Sequence, residues 1–438
     1  MKNGYDLKKI MNIEKQQAQE EAIRINGLLK KAHKDILDVR FGYPDYIPRL
    51  HDQLWGLAEI ARNSAVKKTK TLNGKEKTKM RKDEANKIFS FFGYELDDGS
   101  KYVTLNQIFP SAMEAVESTI HSCCRPYHSV LVLDPAYEAF SELVERVGDR
   151  NRNTIHVDCS INPSIVEIKQ AIDSAKKITN EIGGEMTVDL IVVNIPRNPD
   201  MYVYDDKFLN ELAKLANKEN ITILYDEVFN LSGPSTSFII RKGSENRLST
   251  TFPKSDSHVI IRDTGKILPE PFPKLAAVHV SDSCYSHKGG GLIGKENRRR
   301  NLRNPSTADI YMLAKILHSK QFPNYITRFQ QINTNNFKSL EVKLNLPMVQ
   351  CGPFALIDLA SLFPINNLFR LTDVQLLSFQ FSSFFQTLGS YYGFRIVPKS
   401  AKSIIRFPLT MSKEMFEEMV NLLIKKLEII RKLHEELS

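Results

Sequence analysis

Several side chains in this sequence stand where a strand gives way to a turn, and their types could do chemistry together. Lys266 follows the β-branched run Val259-Ile260-Ile261 through Arg262-Asp263 and a flexible Thr264-Gly265. In an α/β sheet, ligands sit outside the carboxyl ends of the strands, so this lysine is presented to a crevice. In a dry site it loses its proton more readily and becomes an amine nucleophile able to form a Schiff base. Asp226-Glu227 closes the apolar segment ITILY, and Asn198-Pro199 leaves the segment VVNIPR through a turn. Ser111-Ala112 opens a helix whose unused N–H groups suit a phosphate, and Arg406 in SIIRFPL can fork a carboxylate. Each has an ordinary explanation when taken singly: a solvated loop lysine, a capping acid, a plain turn, an N-cap serine, a surface arginine. The helix start and the basic residues carry no meaning until elements position them.

Those elements read as alternation. Short apolar runs at 102–107, 129–134, 154–158, 188–194, 221–226, 258–262 and 275–281 predict strands, with helices at 112–123, 138–147, 163–177 and 206–217. Such alternation predicts a mostly parallel sheet with helices on both faces, a three-layer α/β/α arrangement. Beyond residue 305 the pattern changes to a smaller α+β domain. It has helices at 307–319 and 325–344, strands at 353–359, 394–397 and 403–407, and a closing helix after Ser412. Met415, Phe416, Met419, Leu423, Leu427 and Ile430 fall on one face of that last helix, a core face. Residues 5–37 read as a polar helix or extended arm and 38–48 as a turn-rich connection. The predicted division is 1–49 as an arm contributing to the small domain, 50–305 as the large domain, and 306–438 as the small C-terminal domain.

The 438 residues can bury a sizeable core. A charged fraction of 25% and a hydrophobic fraction of 42% are those of an ordinary soluble protein. The net charge of +9 is spread along the chain apart from residues 62–82, RNSAVKKTKTLNGKEKTKMRK. That cluster has no interleaved aromatics to stack bases, so it reads as a solvated loop and helix start, and no nucleic-acid partner is expected. Five cysteines without CxxC spacing predict a reducing compartment, no disulfide framework and no metal site. No signal core or membrane-length apolar stretch is visible in the sequence, which leads to the expectation of a cytoplasmic location and no membrane partner.

In order and spacing, the strand-end sites resemble the fold-type I pyridoxal-phosphate enzymes, specifically the class I/II aminotransferases. The resemblance runs from about Asp38 to the C-terminus. The family's Asn-Pro turn is matched by Asn198-Pro199 and its "DEVY" by Asp226-Glu227-Val228-Phe229, 28 residues on. Lys266 stands where the Schiff-base lysine does, one strand later. Asp134-Pro135-Ala136-Tyr137 resembles the "P-x-Y" segment with its stacking aromatic, Ser111-Ala112 the phosphate loop, and Gly352-Pro353-Phe354-Ala355-Leu356 a strand of the small domain. The resemblance implies the pyridoxal-phosphate-dependent transferase fold, pyridoxal 5'-phosphate as cofactor, and a homodimer acting on an α-amino acid and a 2-oxo acid. It assigns Lys266 as the Schiff-base amine and Asp226 as the acid that keeps the pyridine nitrogen protonated. It places Tyr137 over the ring, Asn198 on the 3-oxygen and at the substrate, and Arg406 on the substrate carboxylate.

The departures concentrate on the phosphate end. Phe229 replaces a tyrosine, Asp263 a serine, and Lys274 an arginine that would fork the phosphate; Asp200-Met201 replaces Thr-Gly. An acid beside a phosphate is unfavourable unless Arg262 or Lys274 neutralises it. Three readings follow: an aminotransferase whose rebuilt cup shares the anion among Lys274, Arg262 and Ser111; the same fold carrying out an elimination, cyclisation or oxidation; or a non-catalytic binding protein descended from it.

Overall fold

In a computed structural model, residues 46–94, 106–137, 139–147, 152–159, 163–178, 184–198, 200–232, 254–282, 284, 305–358, 394–397 and 402–437 are described. They fall into two compact units, one running to Gln331 and the other starting at Ile332. The sequence places a boundary near 305. The expected arm at 5–37 and the expected residues 102–105 lie outside the described residues.

The first unit is built on a seven-stranded sheet. Its strands are β1 (Asn106–Phe109), β2 (Ser129–Asp134), β3 (Asn153–Asp158), β4 (Val188–Asn194), β5 (Thr222–Asp226), β6 (His258–Asp263) and β7 (Ala276–Val280), in the order β1-β7-β6-β5-β4-β2-β3. From β3 to β6 neighbours are parallel, and β7 runs antiparallel to both β6 and β1. This is the mostly parallel sheet that the alternation predicts. The central strands β4 and β5 are buried along their whole length, as expected for strands covered on both faces. Edge strand β3 is half-exposed. Since β1 is parallel to β6, its carboxyl end and those of β2, β4, β5 and β6 open on one edge of the sheet.

Residues 62–82 correct the loop expectation. Helix α1 (Pro48–Thr71) continues through the basic run, and α2 (Gly74–Phe91) starts after a two-residue break. Asn73 makes the break: its side chain accepts from the Glu76 N–H at 3.0 Å, and the Glu76 carboxylate accepts from the Asn73 N–H at 2.8 Å, a reciprocal cap. Lysine and arginine are good helix formers, and their heads stay in water while Ala61 and Ala65 pack on Tyr311. Tyr311 belongs to α7 (Thr307–Leu317), which packs on α1 and α2. The remaining helices of the sheet unit are α3 (Ala112–Cys123), α4 (Ala139–Val147), α5 (Ile165–Ala175) and α6 (Asp206–Glu219). Helix α8 (Phe322–Leu344) carries the division between the units.

The second unit holds a four-stranded antiparallel sheet, order β10-β11-β9-β8, from β8 (Met348–Cys351), β9 (Phe354–Asp358), β10 (Phe394–Val397) and β11 (Lys402–Pro408). Strand β8 is an addition to the sequence reading, which found no strand there because its residues alternate only weakly. The last helix, α9 (Lys413–Leu437), buries Phe416, Val420, Leu423 and Leu427, a 4-3-4 spacing along one face. Met415 is 43% exposed, which corrects its place on that core face.

Candidate active site

Strand register assembles the site. Asn194 of β4 is paired with Asp226 of β5, and Asp226 with Ile261 of β6. Asp263 stands two residues beyond Ile261. Side chains alternate along a strand, so Asp226 and Asp263 project from one sheet face and Glu227 and Arg262 from the other. With strands about 5 Å apart and about 3.3 Å of rise per residue, the Cα atoms of Asp226 and Asp263 are separated by about 8 Å.

Asp226 is 4% exposed. The Asn194 side-chain amide donates to its Oδ2 at 3.0 Å and to its backbone oxygen at 3.0 Å, and the Val228 N–H donates to Oδ1 at 3.3 Å. Burial pushes the carboxyl up to about 7 and the neighbouring Asp263 charge adds to the rise, against the Val228 N–H and the Lys266 ammonium. Asn194 also accepts from the backbone N–H of Asn198 at 2.6 Å. One amide thereby ties the Asn198 turn to the Asp226 carboxylate. Sequence reasoning passed over Asn194, although its place at a strand end, four residues before Asn198, was a usable signal.

Lys266 reaches the same crevice from the turn after β6. It is half-buried, its ammonium is 5.2 Å from the Phe229 ring centroid, and its charge acts on both Asp226 and Asp263. The turn is tethered from behind. Tyr325, in the first part of α8, donates its hydroxyl to the Ile267 carbonyl and meets His51 Nε2 at 3.0 Å. Burial pushes His51 down to about 4, so it is neutral at physiological pH; its Nδ1 accepts the Ile47 N–H at 2.8 Å, and Nε2–H donates to the Tyr325 oxygen. Neither residue was legible in sequence, since Tyr325 lies 58 residues from its acceptor.

The Asn198 turn has a staple of its own. Arg197 is 1% exposed; its Nε donates to Asp200 Oδ1 at 2.9 Å, Nη2 to Asp200 Oδ2, and Nη1 to the Cys159 carbonyl at 2.6 Å. Its guanidinium carbon is 4.7 Å from the Tyr202 ring centroid. This accounts for Asp200: the departure from Thr-Gly supplies the partner of a buried guanidinium. Met201 takes φ 52°, a backbone setting that favours glycine, and the ion pair offsets that strain.

At the other end of the crevice, Asp263 is 9% exposed and accepts from the Gly265 N–H at 3.1 Å. Burial pushes its carboxyl up to about 6, opposed by Lys266, the Gly265 N–H and Lys274. The expectation that Arg262 shares an anion here is corrected. Arg262 faces the opposite side of the sheet, where its Nε donates to Glu227 at 2.8 Å, Nη1 donates to the Phe92 carbonyl, and its guanidinium lies 5.1 Å from the Tyr94 ring. Lys274 lies along the turn, with its ammonium 3.0 Å from Glu270. Ser111 caps α3, accepting from the Glu114 N–H at 3.2 Å, with Ala112 as the first helical residue. The first N–H groups of a helix have no acceptor within it, so the cap and an anion site coexist there. Tyr137 follows β2 at the same sheet edge, its ring edge-on to Phe140 at 5.8 Å. Arg406 belongs to β11 of the second unit, 4% exposed, with its guanidinium 4.6 Å from the Phe354 ring centroid.

A pyridine ring fits the Asp226 end. A buried carboxylate whose hydrogen-bond donors are a neutral amide and a peptide N–H is suited to a cationic N–H partner. The buried Thr264 hydroxyl, beside Asp263, has no hydrogen-bond partner among the described residues. A phosphate fits the helix start and Lys274 but meets a carboxylate at Asp263. Among the described residues, no His, Cys, Asp and Glu cluster could hold a metal, and no helix is long and apolar enough to cross a membrane.

Residues 51–245 match the family described as aminotransferase class I and II. The chain is 24% identical over 206 residues to the "Probable aspartate aminotransferase" of Methanocaldococcus jannaschii, covering 47% of this chain and 49% of that one. It is 26% identical over 148 residues to the aspartate aminotransferase of Sulfolobus acidocaldarius, covering 33% of each. The chain thus spans about half the length, or less, of the curated relatives it matches. Among solved structures, it is similar to an aromatic aminotransferase from Pyrococcus horikoshii, with TM-score 0.61 at 17% identity over 94% of this chain and 99% of that one. A Thermus thermophilus aspartate aminotransferase variant matches with TM-score 0.60 at 15% identity over 95% and 96%. At these identities the structural likeness shows the fold.

Proposed function

Because residues 51–245 belong to the aminotransferase class I and II family and the chain has the fold of fold-type I aminotransferases, we propose that it is a pyridoxal-phosphate-dependent aminotransferase. The observation that carries the proposal is the meeting of Asp226 and Lys266 in one crevice, where the lysine's charge acts on the buried carboxyl. When bound, pyridoxal phosphate supplies an electron sink for the bond broken at an amino acid's Cα. Asp226, kept in place by Asn194, holds a proton at the pyridine nitrogen. Lys266 Nζ is the amine that holds the cofactor, and once released it is the base that moves the Cα proton. Tyr137 covers the ring face, and Asn198 holds the 3-oxygen and contacts the substrate. Phe229 lines the crevice beside Lys266 and leaves that oxygen without a phenol donor. Ser111, Ala112 and Lys274 hold the phosphate, with Asp263 beside it, and Arg406 takes the substrate α-carboxylate in a bidentate contact.

The substrates in this reading are an α-amino acid and a 2-oxo acid. The unit that runs to Gln331 binds the cofactor, and the working form is a cytoplasmic homodimer in amino-acid metabolism. The test is spectroscopic. Pyridoxal phosphate added to the purified chain should give a visible absorbance band that Lys266→Ala abolishes. Aspartate and aromatic amino acids, the substrates named for the relatives, should then bleach the band with release of one 2-oxo acid per site. A chain that takes up no cofactor, or a band that survives Lys266→Ala, would sink the proposal.

A further inference from the structure

The departures at the phosphate end have a shared geometry. Phe109 of β1 is paired with Ala276 of β7, and Ala276 with Asp263 of β6, so the three residues form one row across adjacent strands. Two residues beyond Phe109, Ser111 starts α3, which packs against β6. The helix start and the Asp263 carboxylate therefore share one sheet edge: Phe109 and Asp263 are about 10 Å apart along the row, and Ser111 lies two residues beyond Phe109. The carboxylate is pinned there. Gly265 N–H holds its Oδ1 at 3.1 Å, and a Cβ at Gly265 would lie 3.5 Å from its Oδ2 and 3.7 Å from Lys274 Cγ. Arg262 is bonded to Glu227 on the opposite face, and the two lysines that act on Asp263 are divided with other carboxylates, Lys274 with Glu270 and Lys266 with Asp226.

Resting on the proposed cofactor, we infer that Asp263 selects the charge state of the phosphate: the two anions repel along the sheet edge, a proton is taken up as the phosphate binds, and binding is tightest below neutral pH. The charged groups acting on Asp263 are Lys266 and Lys274 from the segment after β6, and Asp263 in turn raises Asp226 on β5. Its neighbour on β7, Ala276, is uncharged, and α3 brings Glu114 in its first turn. Burial places Asp263 at about 6, close to the second ionisation of a phosphate monoester at about 6, so both anions gain charge over the same interval.

The probe is pyridoxamine 5'-phosphate, which has no aldehyde and makes no bond to Lys266, with phosphate-free pyridoxamine as the control. Titrated by calorimetry or fluorescence, the wild-type chain should bind pyridoxamine phosphate about tenfold more weakly at pH 8 than at pH 6, the size expected for a like-charge pair in a partly screened site. Asp263→Asn and Asp263→Ser should bind about tenfold more tightly than wild type at pH 8 and lose the slope, while pyridoxamine shows no Asp263-dependent slope. Calorimetry in buffers of different ionisation enthalpy should show proton uptake near pH 7 in wild type and less in the variants. If a variant does not fold, the difference between phosphorylated and phosphate-free ligands in wild type carries the test. Equal affinities and slopes in wild type and variants would overturn the inference and leave cofactor binding intact. Failure of every form to bind pyridoxamine phosphate at any pH would remove the proposed function along with it.

Discussion

Asp226→Asn should make the ligand-free protein more stable while removing the proposed cofactor chemistry. Burial raises the Asp226 carboxyl from the ordinary 3.8 to about 7 in the folded chain. Between those values the folded state binds a proton that the unfolded state has released, so this group's contribution to stability falls as pH rises and is lost above about 7. Roughly three pH units at about 1.4 kcal/mol each make the ionised carboxylate a burden on the order of 4 kcal/mol at pH 8. Asparagine keeps the shape without the charge but cannot accept from both the Asn194 amide and the Val228 N–H, a loss of about 1 kcal/mol. The net gain is about 3 kcal/mol at pH 8 and less than about 1 kcal/mol at pH 5, where the ionisation cost is only partly developed. Buried His51, His258 and His279, each lowered to about 4, act with the opposite sign over the same interval but are common to both chains and cancel in the difference. Urea denaturation of both ligand-free chains at the two pH values measures it. A variant that is destabilised equally at pH 5 and pH 8 would refute the reasoning. A buried acid that costs stability is the trade expected where the proposed function requires its charge.

Two further perturbations probe the supports of the site. Tyr325→Phe removes the donor to the Ile267 carbonyl and the partner of His51, so the folded chain should lose about 1–3 kcal/mol in denaturation while still forming the Lys266-dependent absorbance band. Arg262→Met strands Glu227, which is 1% exposed, and should cost about 3–5 kcal/mol in the same assay; Arg262→Met combined with Glu227→Leu should recover much of that loss. A double variant no more stable than the single one would show that the pair's charge is not the cause.

The candidate site was legible because its residues lie at strand ends. Asp226 and Lys266 each follow a run of apolar, β-branched residues, and the Asn198 turn closes another, so periodicity alone marks where the chain leaves the sheet. The alternation of strand and helix likewise fixed the class of fold. The two helices across 62–82 were not legible, because a basic amphiphilic run scores as solvent-exposed whether or not its alanines pack on Tyr311. Met415 was misplaced for a similar reason: 3.6-residue periodicity leaves a neighbour such as Phe416 free to take the inward position.

The sequence by itself determined which residue types stand past which strands, because that is local patterning. Only the tertiary structure decided that Asp263 shares a face with Asp226 while Arg262 turns away to Glu227, since the face depends on register between β5 and β6. It likewise decided that Asn194 bridges two strand ends and that Tyr325 holds the turn beside the lysine. Hydrogen bonds and ion pairs form between groups that packing brings close, and a one-dimensional pattern carries no record of which distant residues those are.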